Sequence, residues 1–289
     1  MPGQEKIPNT CATSYGLWKG HLRKSPACGH DGDVINANAF QVQDLHKSFG
    51  DLHVLKGVDM HFLRGQTTVV LGASGCGKSV LLRHLVGLEK PDQGSVWFGD
   101  LRIDQLSERQ LTGPRRHIGY LFQQGALFDS LTVEQNISFP LVEHGVATGA
   151  KARAMVEHVL HLVGLNDKIY VMPAALSGGQ RKRVALARAI VMQPAVVLYD
   201  EPTTGLDPIT SDVINELIMK LARELSISSI VVTHDLASAF KVADRIIMLH
   251  DGRVELAGTP EQLRQSKLLV VSRFLKGKAS PEELAQIEA

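Results

Sequence analysis

The stretch Leu71-Gly-Ala-Ser-Gly-Cys-Gly-Lys-Ser-Val80 restricts the possible folds more than any other part of this chain. Gly72, Gly75 and Gly77 are spaced by small residues and run into Lys78-Ser79. Before them residues 67–71 are apolar or β-branched, as in a buried strand; after them apolar residues recur at helical spacing from Val80 onward. A strand that turns through glycines into a helix leaves the backbone N–H groups of residues 74–79 free to wrap an anion, with the positive end of the helix aimed at the same point. The stretch therefore reads as a phosphate-binding loop, with Gly72, Ser74, Gly75, Cys76, Gly77 and Val80 forming the cradle. Lys78 is expected to reach the β- and γ-phosphates of a nucleotide, and the Ser79 hydroxyl to hold Mg²⁺.

The rest of the composition narrows the setting. A chain of 289 residues with 44% hydrophobic content can bury one sizeable α/β core. A net charge of +1 carries no basic excess, which argues against nucleic acid as a partner. Cys11, Cys28 and Cys76 are odd in number and irregularly spaced, so a disulfide framework is not expected and a reducing compartment is favoured. Cys11, Cys28 and His30 match no zinc spacing. No apolar run approaches the roughly 18 to 20 residues that cross a bilayer, so any membrane role is expected to come through a partner.

In chain order, residues 1–38 are rich in Gly, Pro, Asn, Ser and Thr without periodicity and read as a mobile arm without a secretory signal. Residues 40–45 and 54–62 alternate as antiparallel strands around a turn at Gly50-Asp51. Phe49, at a strand end, offers a flat face to a nucleotide base, or is an ordinary strand-end aromatic. Residues 94–100 and 116–122 read as further strands, and Gln123 follows the second. Its amide oxygen can coordinate Mg²⁺ or the attacking water from a moving loop, although amides are common at strand ends. Thr132-Val-Glu-Gln135 is a capping box, and Met155, Val156, Val159, Leu160 and Val163 line one face of a helix over 150–163. Residues 125–180 are thus expected to form an inserted helical lobe.

Leu176-Ser-Gly-Gly-Gln180 opens another helix, with Ser177 as its cap and Gly178, Gly179 and Gln180 offering free N–H groups. This is a second anion cradle, or simply a capped helix. One nucleotide does not readily fill two cradles so far apart in sequence, so the second is expected to complete the phosphate site of another copy. Residues 195–199 are followed by Asp200-Glu201, and two carboxylates at the end of a buried strand are costly unless a cation or a proton transfer uses them. Asp200 is expected at the metal and Glu201 at the attacking water. Thr204-Gly-Leu-Asp207 leads into a helix at Pro208, and His234 ends a strand over 228–232, placed as a donor to the γ-phosphate or as a structural residue.

With Phe49, residues 72–79, Gln123, residues 176–180, 196–201 and 204–207, and His234 in this order, the chain resembles an ATP-binding-cassette (ABC) ATPase over about residues 40–260. The resemblance implies an α/β P-loop NTPase cassette with a parallel core sheet, an antiparallel edge β layer and an inserted helical lobe. It implies ATP and Mg²⁺ as cofactors, catalytic roles for Lys78, Gln123, Glu201 and His234, and an ATP-dependent homodimer. Each ATP would lie between one copy's phosphate loop and the other's Ser177 to Gln180, with Asp207 nearby.

Residues 122–133, the Ser79-Val80 pair and residues 199–210 look like the ATPases of Mla-type phospholipid transporters. Those work with an integral permease and an MCE-domain lipid-binding protein, with a small STAS-domain subunit as a further possible partner, as peripheral proteins on the cytoplasmic face of the inner membrane. Leu127 and Phe128 are expected at the permease-docking surface. Gln180, where many of that subgroup carry Met, and the arm before Phe40 lie outside the shared pattern.

Residues 261–289 are expected to form a C-terminal helical extension, entered through another capping box at Thr259-Pro-Glu-Gln262 and able to bury Leu269, Val270, Phe274 and Leu275; the resemblance implies that it touches the neighbouring copy, and the other reading is a helix packed on its own chain. Three other readings are a cassette for another solute, an ABC-type ATPase acting on nucleic acid or ribosomes, and a nucleotide-binding regulator without hydrolysis. The second is opposed by a single cassette without heptads or basic excess, and the third by the presence of Lys78, Glu201 and His234 together.

Overall fold

The computed structural model describes residues 37–278. The expected arm lies outside the described residues except for its last two, of which Asn38 opens the first strand; Cys11, Cys28, His30 and residues 279–289 also lie outside them. In chain order the elements begin with β1 (Asn38–Phe49), β2 (Leu52–Leu63), β3 (Thr67–Leu71), α1 (Lys78–Leu85), β4 (Gln93–Phe98) and β5 (Leu101–Arg102). They continue with α2 (Glu108–Arg115), β6 (Ile118–Leu121), α3 (Val133–Glu143), α4 (Gly149–Leu162) and α5 (Gly178–Ile190). The rest are β7 (Val196–Asp200), α6 (Pro208–Leu225), β8 (Ser228–Thr233), α7 (Leu236–Val242), β9 (Arg245–His250), β10 (Arg253–Gly258), α8 (Pro260–Arg264) and α9 (Leu269–Leu275).

Two sheets result. The antiparallel one runs β2-β1-β4-β5; the larger runs β10-β9-β3-β8-β7-β6, parallel throughout except for β10, which returns antiparallel on β9. Side chains of the parallel strands divide by parity, as a two-residue repeat requires. Val69, Leu71, Val197, Tyr199, Val231, Ile246 and Met248 join one core with α3 to α7. Val70, Val196, Leu198, Ile230, Val232, Ile247 and Leu249 join a second core with α1 and the antiparallel sheet. Being covered on both faces is why these strands read as continuous apolar runs.

Helix starts follow local chemistry. Thr132, Ser177 and Thr259 each accept from the N–H three residues on, in capping boxes with Gln135, Gln180 and Gln262. Asp207 and Asp235 cap α6 and α7. The helix α2 is absent from the sequence reading although Ser107 and Gln110 form a capping box; Gly113-Pro114 near its end obscures it, and β5, β9 and β10 also escaped notice. In α9 the burial differs from expectation. Leu269 is 62% exposed, and Val271 is the fully buried side chain of this helix. Val270, Phe274 and Leu275 pack partly buried against that core.

Candidate active site

Parallel strands bring their carboxyl ends to one edge of the sheet, where a doubly wound fold binds ligands. Leu71 pairs with Thr233, Asp200 with Val232, and Leu121 with Tyr199. The phosphate loop after β3, Gln123 after β6, Asp200-Glu201 at the end of β7 and His234 after β8 are therefore neighbours, although 162 residues separate Gly72 from His234.

The loop has the expected geometry. Gly77 takes φ 105° at the start of α1, and a Cβ there would lie 2.9 Å from Leu55 Cδ2, so only glycine fits. No side chain caps α1, whose first N–H groups point into the loop. Ala73, Ser74 and Gly75 are exposed, Cys76 and Ser79 are half-buried, and Val80 packs on the second core. Burial pushes the Cys76 thiol up, opposed by the nearby Lys78 charge.

Lys78 is 5% exposed and donates to the carbonyls of Gly72 and Ala73, both at 2.9 Å; its ammonium lies 3.5 Å from Glu201 Oε1. Ser79 Oγ donates to Asp200 Oδ1 at 2.8 Å, and Tyr120 Oη donates to Asp200 Oδ2 at 3.4 Å. Burial raises the Asp200 carboxyl, and these two hydrogen bonds act against the rise. Ser79 and Asp200 present hard oxygen donors of the kind Mg²⁺ takes. Tyr120 is also shifted up, first by burial and then by the Asp200 charge.

Glu201 is buried and adopts φ 47°, the left-handed region that non-glycine residues disfavour. Its Oε2 accepts from Thr204 Oγ1 at 3.2 Å and lies 2.9 Å from His234 Nδ1. Such departures from ordinary backbone cluster at active sites. Lysine, serine, two carboxylates and histidine thus converge in one place. The Gln123 side chain is exposed on the adjoining loop.

Other expected residues lie elsewhere. Ser177 N–H donates to Gln180 Oε1 at 2.9 Å, and Ser177 is exposed on the helical lobe. Gly178 and Gly179 pack against Leu206 and Thr210, so the second cradle abuts the start of α6. Asp207 is exposed, and its Oδ1 accepts from the N–H groups of Ile209 and Thr210 at 3.0 Å each. Phe49 is exposed at the β1–β2 turn with Lys47 Nζ 5.2 Å from its ring centroid.

Two polar residues at the site escaped the sequence reading. Tyr120 read as one more residue of an alternating strand, and Lys182 sat inside Arg181-Lys-Arg183, which resembles a solvated face. Only the fold shows that Lys182 is 7% exposed. Burial lowers its ammonium from the usual lysine range, opposed by Asp200 and Glu201.

A phosphate loop feeding one edge of a parallel sheet, faced by a strand-end carboxylate pair and a histidine, defines a nucleotide-hydrolysing P-loop protein. Residues 55–204 match the ABC transporter family, and the chain belongs to that family as an ATP-binding ATPase subunit. It is 39% identical over 245 residues to the intermembrane phospholipid transport system ATP-binding protein MlaF of Haemophilus influenzae, covering 85% of this chain and 93% of the relative. It is 43% identical over 213 residues to the aliphatic sulfonates import ATP-binding protein SsuB of Rhodopseudomonas palustris, covering 74% of this chain and 71% of that one. Among solved structures, the dimeric post-hydrolysis state of the cassette MJ0796 bound to ADP and Pi is similar, with TM-score 0.70 and 34% identity over 76% of this chain and 98% of that one. Among the described residues no helix is long and apolar enough to cross a membrane.

Proposed function

We propose that this ATPase drives phospholipid movement between envelope membranes as the peripheral, homodimeric motor of an ABC transporter. The observation that carries the proposal is the similarity to a phospholipid transport ATPase along 93% of that relative's length, in a chain that gathers Lys78, Ser79, Asp200, Glu201 and His234 at its strand ends. In this reading two copies enclose two ATP molecules, each between Lys78 of one copy and Ser177 to Gln180 of the other. Ser79, Asp200 and Gln123 would hold Mg²⁺, which when bound neutralises charge developing on the phosphates. Glu201, oriented by His234 and Thr204, takes a proton from the attacking water, and Lys78 stabilises the transferring group. Lys78 already touches Glu201, so an incoming phosphate replaces a carboxylate as its anionic partner and frees the base.

The surface beside the Gln123 loop suits a permease. Phe122, Phe128 and Phe139 are exposed there, with the rings of Phe128 and Phe139 4.8 Å apart, around a cavity of about 450 Å³. Clustered exposed aromatics mark an interaction site. Phe128 fits the expected docking role; Leu127 does not, because it packs partly buried against the core that the parallel sheet shares with α3 to α7. In this reading the ATPase sits on the cytoplasmic face of the inner membrane, docked to an integral permease, and an MCE-domain protein and a small STAS-domain subunit complete the assembly.

Reconstitution with the permease in liposomes carrying labelled phospholipid tests the substrate. ATP-dependent lipid movement is expected, and Phe128→Ser should abolish it while sparing hydrolysis by the isolated subunit. The similarity to an aliphatic sulfonates import protein supports a second reading, a small-solute importer. ATP-independent lipid movement would remove the first reading, and stimulation of hydrolysis by a sulfonate in place of lipid would favour the second.

A further inference from the structure

The helix α5 sends two cations beneath the Gln123 loop. Lys182 Nζ donates to the carbonyl of Gln123 and, at 3.3 Å, to the carbonyl of Glu201. Six residues on, Arg188 donates to the carbonyls of Gly125 and Ala126, both at 2.8 Å. Ala126 has φ 48° and Glu201 φ 47°, so each of these left-handed, non-glycine residues has its carbonyl held by a cation of the same helix. The Glu201 N–H donates to Val232 at 3.0 Å. Both polar ends of the Glu201 backbone are therefore tied, the N–H to β8 and the carbonyl to α5 through Lys182 and, at 3.3 Å, to the N–H of Thr204 in its own turn.

An ammonium group suits this junction. It has three donors and no acceptor, so it can serve carbonyls from two separate strand ends at once. The Lys182 side chain touches no reacting atom, yet the direction of the Glu201 carboxylate depends on the backbone that Lys182 holds. We propose that Lys182 is a positioning residue that keeps Glu201 in its left-handed conformation and ties it to the Gln123 loop. The inference rests on Glu201 being the base. It gives α5 a role beyond presenting Ser177 to Gln180: displacement of the Gln123 loop reaches the catalytic carboxylate through one side chain. Without the ammonium both carbonyls lose a buried partner, the Glu201 carbonyl keeps only the Thr204 N–H, and the left-handed conformation is held less firmly, so that the carboxylate shifts relative to His234.

The test uses the full chain with Lys182→Met, which keeps the length of the stem without its charge, and Lys182→Arg, which keeps N–H donors. Lys182→Met should lower kcat about tenfold or more while KM for ATP stays within about twofold, the pattern of an interaction needed in the transition state and not for substrate binding. Lys182→Arg should recover kcat to within about threefold of the parent, as expected if the donors matter more than the stem. In a Glu201→Gln background the Lys182→Met loss of single-turnover rate should largely vanish, because no base remains to be positioned. A kcat within about twofold of the parent for Lys182→Met, a loss that Arg does not recover, or a loss of full size in the Glu201→Gln background would each overturn the proposal. Should Lys182→Met not fold, Lys182→Gln takes its place: its shorter amide cannot serve both carbonyls, so kcat falls with KM kept, and parental kcat overturns the idea. Glu201→Gln alone separates the two readings. Parental turnover in that variant removes the base itself, whereas an inactive Glu201→Gln beside a fully active Lys182→Met removes only the positioning role.

Discussion

Gly179→Ala is a small change whose cost the structure sets. Gly179 is buried in the first turn of α5, and a Cβ built on it would stand 2.5 Å from Thr210 Cγ2 on α6. Carbon atoms in contact settle near 3.5 to 4.0 Å, so one helix must yield by roughly 1 Å. Overpacking of this kind typically costs about 1 to 3 kcal/mol. Against it stands the better helix propensity of alanine, at most about 1 kcal/mol and smaller in a first turn. The clash wins, leaving a net loss of about 1 to 2 kcal/mol, and each kcal/mol lowers the midpoint by about 2 to 4 °C in a domain of this size. Thr210→Ser removes the offending methyl and keeps the hydroxyl that bonds Asp207. In thermal denaturation of the full chain, Gly179→Ala should melt below the parent, and the double variant should regain most of the loss. A parental midpoint for Gly179→Ala, or a double variant no more stable than the single, would refute the reasoning.

Glu201→Gln should keep ATP binding and lower single-turnover hydrolysis by about 10² to 10⁴-fold, since an amide keeps the hydrogen bonds to His234 and Thr204 without accepting a proton; a rate within about threefold of the parent would remove Glu201 from the role. Lys78→Ala should instead weaken ATP binding itself, and unchanged affinity by equilibrium titration would count against the loop assignment. Mixing Ser177→Arg with Lys78→Ala chains should restore nucleotide trapping that neither shows alone, because a mixed dimer keeps one intact composite site; no recovery would mean that the sites are not shared or must act together. Stability should fall on mild acidification. Burial lowers His61, His84 and His117 from 6.5, so the unfolded chain binds protons the fold does not, and stability rises with pH through the window just below 6.5. Denaturation midpoints should drop between about pH 7.5 and about pH 5.5, less so in His84→Met, and equal midpoints at both pH values would contradict this.

The sequence by itself determined what is local. The phosphate loop, the capping boxes at Thr132, Ser177 and Thr259 and the acidic end of β7 each depend on residues a few positions apart, whose spacing sets hydrogen bonds no distant segment can alter. Apolar runs likewise disclosed the buried parallel strands, because covering both faces leaves no polar alternation. What required the tertiary structure is whatever depends on which surfaces meet. Period alone does not order strands, so the adjacency of Gly72, Glu201 and His234 waits on the alignment of β3, β7 and β8. A charged side chain in a basic run looks solvated until another element closes over it, which is how Lys182 came to be buried among backbone carbonyls. Neighbouring apolar residues such as Leu127 and Phe128, or Leu269 and Val271, differ only in which one the packed helices cover. That choice is made by the position of the rest of the chain, and no short stretch of sequence contains it.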